Sequence, residues 1–168
     1  MKILYAARMC RFDLLRATCA LASLVTKWDV TCDKKLHGLV SYINSSLHVR
    51  LRSWVGDSPT DLTVRLFSDA DFAGDVATSR STSLVFLTLV GPNTSFPLSG
   101  QSKKQSCVSH STPEAEIVAA DLAIRTEGLP ALQLWEKVLG RKVCIDFQED
   151  NAAAIQIMKT GAIPRSGT

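Results

Sequence analysis

The chain has 168 residues, 46% hydrophobic and 21% charged, with a net charge of +3 at neutral pH. This is the composition of a globular protein with core enough for roughly one ordinary domain and a short extra piece, and it excludes a disordered chain. The mild positive charge permits a nucleic-acid partner without pointing to one. No apolar run approaches the roughly 18 residues a membrane helix requires, so no membrane association is expected. Met1–Ala7 has a faint look of a signal peptide, but Arg8 and Arg11 end the apolar segment too soon. The five cysteines are odd in number and widely spaced, and the three histidines fit no zinc pattern. Reduced thiols in an intracellular protein, cytoplasmic or nuclear, are the simplest account.

From Met9 to Lys27 apolar residues recur at helical spacing, with Asp13 placed to suit the dipole, and a second helix is expected from Asp33 to Ser45. Together they read as a packed helical hairpin. Gly56-Asp57-Ser58-Pro59 signals a turn or linker within Leu51–Asp61. A strand, Leu62–Ser68, then alternates into an acidic, Gly-containing corner, Asp69-Ala-Asp71-Phe-Ala-Gly74. Thr82–Val90 is a second strand, closed by Gly91-Pro92-Asn93, and Ser95–Ser99 and Ser106–Ser109 read as further strand pieces around Lys103-Lys104.

Ser111-Thr-Pro-Glu114 then starts a helix with a hydroxyl cap, an early proline and an acid in the first turn. That helix should run to Thr126 and stop at Gly128-Leu129-Pro130. A helix Ala131–Leu139, a buried strand Lys142–Phe147 and a helix Asn151–Lys159 complete the order. Three antiparallel strands, two helices, a strand and a helix define an α/β class with a mixed sheet.

Three acidic clusters fall at element ends. Asp69 surfaces at a strand end, where a carboxylate is held rigidly and offers the hard oxygen that Mg²⁺ prefers. Glu114 and Glu116 are two apart and face different sides of a helix. The cap favours Glu114 as the dipole partner and leaves Glu116 to turn inward. Asp150 lies where the last strand gives way to a helix, the usual edge for sites in such sheets. Spacing leaves open the alternative that all three are solvated acids.

Rival motifs fare worse. Asp69-x-Asp71 opens like a calcium-binding loop, but Ala73 and Arg80 occupy positions that need oxygen ligands. The same pair resembles the nucleophile motif of haloacid-dehalogenase-type phosphatases, which place a helix next where a β-hairpin is expected here. No phosphate-binding glycine loop or nucleophile elbow is present in the sequence.

Five blocks in order resemble a known family: Ser68-Asp-Ala-Asp-Phe-Ala-Gly74, Ser79-Arg-Ser-Thr-Ser83, Ser102-Lys-Lys-Gln105, Ser111-Thr-Pro-Glu-Ala-Glu-Ile-Val-Ala-Ala120 and Glu149-Asp-Asn151. They are similar to the ribonuclease H domain of copia-type retrotransposon polyproteins. Ala7-Arg-Met-Cys-Arg-Phe-Asp13 resembles the closing helical part of the preceding reverse transcriptase. The resemblance implies a helical tail over 1–50, a linker over 51–61, a ribonuclease H-like mixed sheet over 62–160 and an irregular tail over 161–168. It implies two-metal hydrolysis of RNA in RNA–DNA hybrids by Asp69, Glu116 and Asp150, with two Mg²⁺ or Mn²⁺ ions, Asp69 touching both. The implied partners are the hybrid and the rest of the polyprotein. Arg65, Arg80, Lys103 and Lys104 are candidate phosphate contacts.

The chain departs from the family pattern in places. Leu84 stands where the family usually has glycine, Phe12 where it has proline, and Pro113 is an added residue. The polymerase's own acidic centre has no counterpart. The family's fourth carboxylate follows a further strand and opens a last helix, and Thr168 comes before both. The expectation is therefore a partial domain, either an active nuclease or a catalytically dead remnant that binds nucleic acid. A dehalogenase-type phosphatase using Asp69 is the distant third.

Overall fold

A computed structural model describes residues 2–75 and 78–161; the expected tail lies, from position 162 onward, outside the described residues. The chain divides into two compact units between Arg52 and Ser53. The first holds α1 (Lys2–Met9), α2 (Leu15–Ala22) and α3 (Val30–Ser45), with 3-10 turns at Phe12–Leu14 and Val25–Lys27. The single helix expected from Met9 to Lys27 is thus broken, and the hairpin becomes three helices. At Arg11 the backbone leaves the helical region, with φ −129° and ψ 63°. Its guanidinium donates to Asp13 and to Ser46 Oγ, each at 2.8 Å, while the Tyr42 hydroxyl donates to Asp13 at 3.1 Å. This polar knot overrides the apolar period, and Asp13 serves it rather than a long helix's dipole. Asp29 accepts the Cys32 N–H at 2.8 Å and caps α3, which therefore starts before the expected Asp33. Leu14, Leu15, Leu21 and Leu39 form the centre of this unit's core.

The second unit carries a four-stranded sheet in the order β3-β2-β1-β4, with β1 (Thr63–Asp75), β2 (Arg80–Gly91), β3 (Thr94–Lys104) and β4 (Ile145–Gln148). The first three strands form an antiparallel meander, and β4 joins β1 in parallel. With α4 (Thr112–Ala123), α5 (Leu129–Leu139) and α6 (Ala152–Thr160), the class is α/β with a mixed sheet. Val64, Leu66, Ser68 and Ala70 of β1 are buried, and Phe67 and Asp69 between them are exposed. Val64 and Leu66 meet Val85, Leu87 and Leu89 of β2 and Ala123, Ala131 and Val143 in one core. Each large aliphatic side chain buried there contributes about 1.5–3 kcal/mol.

Four boundaries differ from expectation. Residues from 53 onward in the expected linker are fastened to the β2–β3 turn: Trp54 bridges Ser95, and Asp57 accepts the Asn93 N–H at 2.8 Å. The strand expected to stop at Ser68 runs through the acidic corner to Asp75, its register shifting between Asp71 and Asp75. The strand piece at Ser106–Ser109 is absent; β3 is one strand ending at Lys104, because Gln105 donates its N–H to the Ser81 carbonyl and turns its side chain inward. The last strand is also shorter than Lys142–Phe147, beginning only at Ile145.

The helix after Ser111 likewise does not stop at Gly128. A π-turn, Ile124–Gly128, carries α4 into α5, with Pro130 in the first turn of α5. Gly128 is there for close approach, since a Cβ would stand 3.1 Å from both Leu66 Cδ2 and Ile145 Cδ1. At the other end Gly140, at φ 66°, ends α5 in the left-handed conformation that glycine adopts without strain. No helix among the described residues is long and apolar enough to cross a membrane. Replacing Gly128 with Val should overpack this contact and cost about 1–3 kcal/mol of stability. Urea denaturation of the full chain checks this; a Val variant as stable as the parent would contradict the packing described.

Candidate metal centre

The parallel pairing of β1 with β4 builds the site. Its last paired residues are Phe67 and Gln148. Two residues further on stand Asp69, within β1 and paired with Leu84 rather than at the expected strand end, and Asp150, just past the end of β4, so a shared direction brings both carboxylates together. The third comes from α4. Ser111 caps that helix, accepting the Glu114 N–H at 3.4 Å, while Glu114 accepts the His110 N–H at 2.7 Å. This resembles a capping box, closed one residue before the cap, and it turns Glu114 back toward the helix start. Glu116, half a turn further on, faces the opposite way and is 3% exposed.

Oxygens of Asp69, Glu116 and Asp150 all lie within 4.8 Å of one another. Asp69 and Asp150 are open to solvent and Glu116 is buried. Glu116 Oε2 is shielded from water and has no hydrogen-bond partner. Such an orphan oxygen costs about 1–3 kcal/mol, more if charged, unless something outside the chain satisfies it. Burial first, then the charges of Glu149, Asp69 and Asp150, push the Glu116 carboxyl up to about 7; the Ala70 N–H hydrogen bond pulls the other way. A cluster of mutually repelling carboxylates, one of them buried with an unpartnered oxygen, fits a divalent cation.

Packing and polar ties hold α4 in place. Ala115 and Ala119 are fully buried and lie against Ala70 of β1, small enough for helix and strand to approach closely. Gln105, 5% exposed, donates to Ser83 Oγ at 3.0 Å and to the Ala115 carbonyl at 2.9 Å, and accepts from Ser109 Oγ at 3.2 Å. It fixes the peptide immediately before Glu116 to the sheet. Sequence reasoning missed Gln105, and it also missed Ser68, whose hydroxyl donates to Glu149 at 3.0 Å. A polar residue on the inward phase of a strand, as Ser68 is, was the available signal.

The candidate basic residues are scattered. Arg65 donates to Asp146 at 2.6 Å across the β1–β4 pair and holds that carboxyl below its usual range. Lys104 is paired with Asp75. Arg80 and Lys103 are exposed at the ends of β2 and β3. A separate cavity of about 440 Å³ in the first unit is lined mainly by leucine and alanine, and its one carboxylate, Asp13, is already bound by Arg11 and Tyr42.

No protein-family model, curated protein or solved structure matches the chain. The chemistry of the site is therefore carried by its own residues.

Glu116 gives the metal-free protein a distinctive pH response. The folded chain holds this proton up to about pH 7, whereas the unfolded chain releases it near 4.5. Between those values the folded state binds more protons, so the contribution is full below 4.5 and is lost as pH rises through 7. With chelator present, stability should fall across that window, and Glu116→Gln should flatten the fall. Urea midpoints measured through the window check this; a wild-type profile that rises there, or an unchanged slope in the variant, would contradict the burial of Glu116.

Proposed function

We propose that the second unit is a ribonuclease H-like domain of the kind carried by copia-type retrotransposon polyproteins, acting as an endonuclease on the RNA strand of RNA–DNA hybrids. The observation that carries this reading is the gathering of carboxylate oxygens of Asp69, Glu116 and Asp150 within 4.8 Å, with Glu116 buried and its Oε2 without a hydrogen-bond partner. The meander followed by a parallel fourth strand supports it, because that topology brings a carboxylate within β1, one just past β4 and one on α4 together. Four of the five sequence blocks that resemble the family lie on or at the ends of β1, β2, β3 and α4, and Glu149-Asp-Asn151 forms the β4–α6 turn.

Asp69, Glu116 and Asp150 would hold Mg²⁺ or Mn²⁺. Bound there, a divalent ion supplies Lewis acidity, lowering the pKa of a water and stabilising charge on the departing 3′ oxygen. The chain's own contributions follow from its geometry. Glu116 is buried and seated by Gln105, so its carboxylate is presented in one orientation. Asp69 and Asp150 are exposed, leaving the open side of the site to a phosphodiester. Glu116 gives up a proton when a cation binds, which links affinity to pH. Arg80 and Lys103 are available for phosphate contacts, whereas Arg65 and Lys104 would first have to leave Asp146 and Asp75.

A dehalogenase-type reading finds no support in this arrangement, because β1 leads into antiparallel β2 rather than into a helix.

Purified full chain with a labelled RNA–DNA hybrid and Mg²⁺ or Mn²⁺ should cut the RNA strand. Asp69→Asn should slow cutting by about 100-fold or more, corresponding to several kcal/mol of charge stabilisation. Binding of hybrid by folded wild-type protein without cleavage would overturn the nuclease reading and leave a nucleic-acid-binding remnant. Neither binding nor cleavage would overturn both.

A further inference from the structure

The parallel ladder of β1 and β4 stops at Phe67 and Gln148. One residue on, the same register places Ser68 opposite Glu149, and here the side chains carry on what the backbone has ended. Ser68, 6% exposed, donates its hydroxyl to Glu149 Oε2 at 3.0 Å. The other oxygen, Oε1, accepts the Asn151 N–H at 3.1 Å. Asn151 in turn caps α6, its side chain accepting the Ala154 N–H at 3.0 Å. A single carboxylate therefore ties β1, just past its pairing with β4, to the β4–α6 turn. The residues it ties are the immediate chain neighbours of Asp69 and Asp150.

We propose that Glu149 is a positioning residue that clamps the turn after β4 onto β1, setting the separation of Asp69 and Asp150 before a cation arrives. The inference rests on reading Asp69, Glu116 and Asp150 as a divalent-cation site, and it adds to that reading how the site is held open. Glu149 is not itself a ligand in this arrangement. Both its oxygens accept hydrogen bonds, and it is not among the carboxylates whose oxygens gather within 4.8 Å. Asp69 is held within the β1–β2 ladder; without the clamp, the turn beyond β4 that carries Asp150 would move away under the repulsion of like charges. A cation would then have to gather them at a cost in affinity. Partners that orient metal ligands in this way are typically worth about 10–100-fold in metal affinity.

The test is Mn²⁺ binding to the full chain, read from the electron paramagnetic resonance signal of the free ion, beside the thermal stability of each metal-free variant. Ser68→Ala and Glu149→Ala should each weaken Mn²⁺ about 10-fold. Because they break the same tie, the double variant should be no weaker than either single one. Ser68→Thr keeps the hydroxyl and should bind as wild type does. Glu149→Gln keeps an acceptor oxygen while losing the charge, and should fall between wild type and Glu149→Ala.

Several results would overturn the clamp. Wild-type affinity in Ser68→Ala would do so. So would effects that multiply in the double variant, or a loss in Glu149→Gln equal to that in Glu149→Ala. Should Ser68→Ala fail to fold, Glu149→Ala and Glu149→Gln carry the same comparison. A wild-type protein with no Mn²⁺ binding sensitive to Asp69→Asn would overturn the site itself. That outcome differs from a site that binds normally and ignores the clamp.

Discussion

Everything proposed for this chain depends on β4 lying parallel to β1. An antiparallel fourth strand would send Asp150 to the opposite end of the sheet from Asp69, roughly a strand's length away. Parallel pairing requires a crossover, and here the crossover includes β2, β3, α4 and α5. The helix that makes the return possible also supplies Glu116. One topological choice therefore delivers all three acids to the same edge, and only four paired residues on each strand hold it.

Bringing those acids together opposes folding. Burying Glu116 among like charges is unfavourable for its ionised form, and its raised carboxyl pKa is the direct expression of that conflict. The surrounding structure over-determines the arrangement. Ala115 and Ala119 close-pack α4 on Ala70, and Gln105 satisfies groups on both helix and sheet. Gly128 lets the following turn press directly on Leu66 and Ile145. These contacts are small, shape-dependent and apolar or fully bonded, which is what a site that stores electrostatic repulsion needs in its walls.

The sequence made some of this legible and hid the rest for identifiable reasons. The β1 alternation, the Ser111–Glu114 cap and the Gly140 stop are local signals, readable because capping and pleating act within a few residues. The inward turn of Glu116 followed from the cap, since a side chain two residues beyond a dipole partner must face another way. Gly128 misled because its role is a tertiary approach to Leu66 and Ile145, whereas in sequence it looks like a helix stop. Arg11 broke a helix that periodicity favoured, through partners at Asp13 and Ser46 of which one is distant in the chain. Ser68 signalled only that a polar side chain faces inward, and neither its partner nor those of Gln105 could be read, because the sheet register sets them. The parallel direction of β4 could be expected from strand-helix alternation, but its register could not.

The central claim is that Glu116, Asp69 and Asp150 together take up a divalent cation, and the proton on Glu116 reports on it directly. Titration calorimetry with Mg²⁺ about one pH unit below 7, in two buffers of different ionisation enthalpy, reads the protons released on binding. The account predicts saturable heat that depends on the buffer and corresponds to nearly one proton per chain. It also predicts that this dependence fades above pH 7 and vanishes in Glu116→Gln. Heat that does not saturate, or that is the same in both buffers, would contradict it.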